Sequence, residues 1–206
     1  MITTVDFLRH GETEGGSYYR GSTDDPLTHL GWQQMQSAVA DQKWDLIISS
    51  PLHRCLDFSQ QFSAESDAPL LIEADWQEID FGDWEGKKAE QINADELMGF
   101  YQDPVNNTPN NGENYKAFLN RVNLAWECLL NNHAGKNILV VTHAGVIRSL
   151  FTNLLDLPSQ KVFNIQADHA RFSRFQCFHD ESDNFVSLVS HNQVRNKNLS
   201  IKTDSC

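Results

Sequence analysis

Residues 2–16 read ITTVDFLRHGETEGG, and everything else in the chain is best read outward from them. Val5, Phe7 and Leu8 sit in an apolar run too short for a helix, and the run ends on Arg9 and His10 before Gly11. Two nitrogen side chains at a strand end, beside glycines that let the backbone approach closely, suggest a pocket for an anion. The pattern recurs downstream. LIISS runs into PLHR, which carries Arg54, and NILVVT runs into His143.

Between these strand-like runs lie helical patterns, in THLGWQQMQSAVADQ, PLHRCLDFSQQF and VIRSLFTNLL. Strands alternating with helices predict a three-layer α/β/α fold, with a mainly parallel sheet covered by helices on both faces. Right-handed crossovers then bring the C-terminal strand ends to one edge, where open sheets of this kind bind ligands. Arg9, His10, Arg54 and His143 are therefore expected to share one site.

In residues 114–131 the apolar positions Phe118, Val122, Ala125, Trp126 and Leu129 recur at helical spacing, which predicts one buried stripe. Residues 85–103 also read as helical, and the Pro-, Asn- and Gly-rich DPVNNTPNNGEN that follows reads as loop. We expect a single domain over residues 1–206, with 85–113 a small helical insertion roofing the site. HARFSRFQCF and NFVSLVS predict two closing strands, and residues 192–206 a polar tail. Thr28 is expected to cap the helix that follows it.

Composition narrows the partners. The 206 residues suffice to bury roughly 70% of the unfolded surface, so a core needs neither disulfide nor metal. A formal net charge of −12 repels nucleic acid and anionic membranes, and no apolar run nears the ~18 residues of a membrane span. An anionic ligand must be captured by a few placed cations. The N-terminus has no basic segment followed by an apolar signal core, so the expected location is the cytoplasm. Cys55, Cys128, Cys177 and Cys206 are scattered singly, the pattern of reduced thiols, three of them packing residues.

Arginine forks bond two phosphate oxygens at once, and a neutral imidazole supplies a nitrogen nucleophile, so a phosphoryl group suits the four residues. Pro51 would start a helix whose free N–H groups face the anion. The P-loop, HExxH and GxSxG motifs are absent, and the HGE at residues 10–12 lacks the PCxxC partner of a deaminase zinc site. No metal or cofactor is expected.

LRHGET, SSPLHRC, EIDFGDWEG and VVTHAGVIR, in that order, resemble the histidine phosphatase superfamily, the phosphoglycerate mutase-like fold. The resemblance implies that His10 is the phosphorylated nucleophile, that Arg9, Arg54 and His143 bind the phosphate, and that Glu78 is the proton donor. It implies a double displacement through a phosphohistidine. RHGETEGGSYYRGSTDDPLT and FGDWEG look most like the α-ribazole phosphatase branch, which removes a 5′-phosphate in assembly of the cobalamin lower ligand. Relatives commonly carry Asn where this chain has Gly16. Arg20, Gly21, Ser22 and Thr23 follow on the same loop and are candidates for contacting the leaving group. His169, opening a late strand, is a further candidate for the site wall, while Glu113 reads as a carboxylate in a helix first turn, although related phosphatases carry a similar GE. A phosphoglycerate mutase or sugar bisphosphate phosphatase is the alternative enzyme, and a noncatalytic phosphate-binding module the alternative class. The expected partner is a small phosphorylated metabolite, with homodimerisation left open.

Overall fold

A computed structural model describes residues 1–180 and 184–194 of the chain. Its strands are β1 (Ile2–Arg9), β2 (Leu46–Ser49), β3 (Leu70–Ile72), β4 (Asn137–Thr142), β5 (Phe172–His179) and β6 (Asn184–Gln193), in one sheet ordered β3-β2-β4-β1-β5-β6. β1, β2, β3 and β4 pair in parallel, whereas β5 and β6 join antiparallel at one side. The sheet is thus mainly parallel, as the alternation predicts.

Alternation of side chains along each strand feeds two cores. Val5 and Phe7 of β1, with Ile138 and Val140 of β4, face α4 (Tyr115–His133) and α5 (Ala144–Leu155). Leu8, Leu139 and Val141 face the opposite way, onto Met35 of α1 (His29–Val39) and Phe58 of α2 (His53–Ser66). Phe7 anchors the first core, fully buried with Trp76 at 5.5 Å and an edge-on Phe175 at 6.0 Å between ring centroids. A ring so placed is worth about 3–5 kcal/mol against alanine.

Local signals set the helix starts. The Thr28 hydroxyl accepts the Gly31 N–H at 2.9 Å, and Asn114 Oδ1 accepts the N–H groups of Lys116 and Ala117, so both helices begin on satisfied caps. The stripe at Phe118, Val122, Ala125, Trp126 and Leu129 is buried.

Four expectations need correction. Only Ala94–Gln102 is α-helical (α3) within residues 85–103, because Gly86 at φ +72° breaks the chain and Asn93 caps a new start. Pro51 precedes α2 rather than opening it, and the first helical N–H, of His53, is bound by Asp24 Oδ1 at 2.7 Å. β6 extends to Gln193, taking in the first residues of the expected tail, and the tail from 195 on lies outside the described residues. Cys55, Cys128 and Cys177 are free thiols, but Cys128 is exposed and does not pack. No described helix is long and apolar enough to cross a membrane.

Candidate active site

Strand register assembles the site. Arg9 pairs with Thr142 across β1 and β4, the His10 N–H donates to the Thr142 carbonyl at 2.9 Å, and the Ser50 N–H to the Val141 carbonyl at 3.0 Å. Three strand ends are thereby level, and the residues just beyond them converge. The His10 and His143 rings lie 5.3 Å apart, and His169, brought in where Ala170 bonds back to Arg9, lies 5.5 Å from His10 on its other neighbour contact.

Each side chain is held by specific partners. His10 is 6% exposed and its Nδ1 donates to the Gly11 carbonyl at 2.8 Å, which leaves the lone pair on Nε2. Arg54 is fully buried in the first turn of α2, donating through Nε to His143 Nδ1 at 3.2 Å. That bond fixes the other tautomer for His143, whose Nε2 donates to Ser50 Oγ at 2.8 Å. A phosphoryl oxygen reaching His143 competes with Ser50 for this proton. Arg9 gives Nη1 to the Ala167 carbonyl at 2.6 Å, while its buried Nε has no hydrogen-bond partner and remains an available donor.

Glu78 follows the short 3₁₀ turn at Ala74–Trp76 and accepts the N–H groups of Ile79 at 3.0 Å and Gly145 at 2.9 Å. The start of α5 is therefore aimed at this carboxyl. A Cβ at position 145 would sit 2.1 Å from Glu78 Oε1, so glycine is needed there for close approach. Arg121 of α4 braces the same segment, bonding the Asp75 and Gln77 carbonyls while forking onto Glu113 at 2.7 and 2.9 Å. Glu113 thus precedes the helix and serves an ion pair behind the site.

A cavity of about 250 Å³ is lined by Arg9, His10 and Glu78 and by the aromatic rings of Tyr19, Phe81, Phe100, Tyr101 and Phe163, whereas Arg54 and His143 are fully buried and do not line it. α3 supplies Phe100 and Tyr101, and Arg148 of α5 adds a cation held through Nε by the Ile165 carbonyl at 2.9 Å. Neither the aromatic walls nor Arg148 was singled out by sequence reasoning. They come from separated segments, and VTHAGVIR was the one signal pointing to Arg148.

The family model of the histidine phosphatase superfamily, branch 1, matches residues 5–192. The chain belongs to this superfamily. It is 29% identical over 174 residues to the adenosylcobalamin/α-ribazole phosphatase of Escherichia coli, covering 81% of this chain and 86% of that one. It is equally similar, over 196 residues, to a bifunctional protein of Mycobacterium tuberculosis, of which it spans 54%. Among solved structures, the α-ribazole phosphatase of Shigella flexneri superposes with a TM-score of 0.77 at 27% identity, over 92% of this chain and 96% of that one. A phosphoserine phosphatase variant of Entamoeba histolytica, solved with phosphoserine, gives 0.80 at 26%, over 94% and 98%.

The loop at residues 20–23 corrects one expectation for this histidine phosphatase. Arg20 lines the cavity, but its Nε is paired with Asp25 at 2.8 Å, its Nη2 bonds the Glu14 and Gly16 carbonyls, and it stacks 4.1 Å over the Tyr18 ring. The donors of Gly21, Ser22 and Thr23 turn away from the cavity to Glu85 and Asp80, because a carboxylate beside three successive amides outcompetes solvent or ligand for them. Gly16 has φ +80°, the left-handed region that Asn also tolerates, and its carbonyl serves Arg20.

Burial sets the protonation states. It holds His10 and His143 well below the usual histidine range, with Arg9 and Arg54 adding to the effect, and takes His169 down to about 4. Arg9 falls to about 10 for the same reason and stays charged at neutral pH. Ring resonances of His10 and His143 should therefore remain those of neutral imidazole as the pH of the ligand-free protein is lowered from 8 through 6. A titration midpoint near the ordinary value of about 6.5 for His10 in NMR spectra would contradict this. Unfolded, these rings take up protons near that value, so folded they bind fewer. Their contribution to stability is complete above it and is lost as pH falls toward the folded values.

Proposed function

We propose that this protein is a metal-independent phosphomonoester hydrolase that works through a phosphohistidine, with α-ribazole 5′-phosphate or a related small metabolite as substrate. The carrying observation is the neutral His10 ring, its Nδ1 proton tied to Gly11, set among Arg9, Arg54 and His143. In the first half His10 Nε2 attacks phosphorus, the ester P–O bond breaks, and Glu78 gives its proton to the departing alcohol oxygen. The arginines bear the charge on the equatorial oxygens, a role that needs no metal ion. In the second half the Glu78 carboxylate takes a proton from water, whose oxygen attacks phosphorus, and the P–N electron pair returns to Nε2.

The aromatic walls favour an alcohol with a flat ring, which fits the α-ribazole ester and the names of several relatives. Arg148 in the same cavity favours the second reading, an ester carrying a carboxylate or a further phosphate, as in the mutase and sugar bisphosphate phosphatase alternatives. The test is a panel of α-ribazole 5′-phosphate, 3-phosphoglycerate and fructose 2,6-bisphosphate, assayed with chelator present. The expected result is release of orthophosphate with the highest kcat/KM on the ribazole ester, by at least about tenfold. Highest kcat/KM on either of the other two selects the second reading, and activity abolished by chelator refutes the mechanism. Orthophosphate binding with no turnover on any member leaves a phosphate-binding module.

A further inference from the structure

Glu85, in the WEG that ends EIDFGDWEG, gathers an unusual set of donors. The Gly21 N–H reaches its Oε1 at 2.9 Å and Oε2 at 3.1 Å, the Ser22 and Phe81 N–H groups reach Oε1 at 3.0 and 2.9 Å, and the Thr23 N–H reaches Oε2 at 3.0 Å. The Thr23 hydroxyl donates to Oε2 as well. From the same three residues, the Gly21 and Thr23 carbonyls accept from Arg54 Nη2 and Nη1, each at 2.7 Å. Residues 21–23 are thus a short plate whose amides are gripped by a carboxylate and whose carbonyls grip the buried guanidinium. Gly21 permits the fit, since a Cβ there would lie 1.9 Å from the Ile79 carbonyl oxygen.

We infer that Glu85 is a positioning residue for Arg54: it fixes the Gly21–Ser22–Thr23 plate, and the plate sets the rotation at which Arg54 presents its remaining N–H groups to the phosphoryl oxygens. Arg54 has a third partner, His143, so its plane is defined by three contacts, two of which depend on the plate. A carboxylate is required because its two oxygens accept from donors on both sides. An amide would turn an NH₂ toward at least two N–H groups and release one end of the plate. A small rotation of Arg54 misaligns a bidentate contact on which transition-state binding depends more than ground-state binding.

The inference rests on the proposal that Arg54 holds the phosphoryl group, and the experiment separates the two. Glu85→Gln, Arg54→Lys and the double variant are compared by kcat/KM on p-nitrophenyl phosphate and by the inhibition constant of orthophosphate. Glu85→Gln is expected to lower kcat/KM by about 10- to 100-fold and weaken orthophosphate about tenfold, with much smaller losses when Arg54 is already lysine. Equal losses in both backgrounds, or kcat/KM and orthophosphate affinity within about twofold of the parent, would overturn it. Should Glu85→Gln not fold, Thr23→Val, which removes one donor from the grip, is carried through the same cycle, and its coupling to Arg54→Lys decides. If instead Arg54→Lys alone leaves orthophosphate affinity unchanged, the phosphate role of Arg54 has failed and the inference falls with it.

Discussion

His10→Ala is expected to eliminate turnover, lowering kcat by on the order of 10⁴-fold or more, and to leave no phosphoenzyme after acid or rapid quench. The His10 ring contributes one hydrogen bond, to the Gly11 carbonyl, so its removal costs the fold little beyond a small cavity. What is lost is a neutral nitrogen with a lone pair next to three cationic or hydrogen-bonding groups. The neighbours cannot replace it. His143 has both ring nitrogens engaged, by Arg54 and Ser50, and His169 lies across from His10, 5.5 Å ring to ring, on the loop side. The measurement is mass spectrometry of the intact protein and of its peptides after a short pulse of substrate. A phosphate adduct on any residue of the His10→Ala protein, or activity above about 1% of the parent, would remove His10 from the role.

Glu78→Gln is expected to slow alkyl phosphates by about 10²- to 10⁴-fold while p-nitrophenyl phosphate loses much less, and orthophosphate binding changes little. The reason is the proton. An alkoxide leaves poorly without one, whereas p-nitrophenolate leaves well unaided. Glutamine preserves the volume beside Gly145 and one oxygen to accept the Ile79 or Gly145 N–H, so the substitution removes acid chemistry more than shape. Rates are compared across esters whose alcohols span a wide range of acidity, so that the slope against leaving-group pKa is read for both proteins. Parallel slopes would show that Glu78 serves position alone.

Parts of this arrangement were legible before any coordinates. The periodicity of α4 and the Thr28 cap depend on contacts three or four residues apart, and such local contacts appear directly in the spacing of the letters. The convergence of Arg9, His10, Arg54 and His143 was legible for a different reason: parallel strands joined by right-handed crossovers send their C-terminal ends to the same edge, whatever their order in the sheet. Residues 85–93 misled because KKAEQ has good helix formers, yet here the chain is turned by Gly86 and makes only a single 3₁₀ turn at Ala89–Gln91.

The sequence by itself determined the sheet, the family and the chemical groups at its edge, since these follow from pattern and from residues whose spacing is local or topologically forced. Tertiary structure alone decided which donors are free. Gly21, Ser22 and Thr23 look like ligand contacts as letters, but Glu85, more than sixty residues away, has claimed their amides. Tyr19, Phe81, Phe100, Tyr101 and Phe163 become one wall only when their segments pack. Hydrogen-bond partners and cavity walls depend on a few ångströms between residues far apart in the chain, a distance that closes only when the whole core condenses.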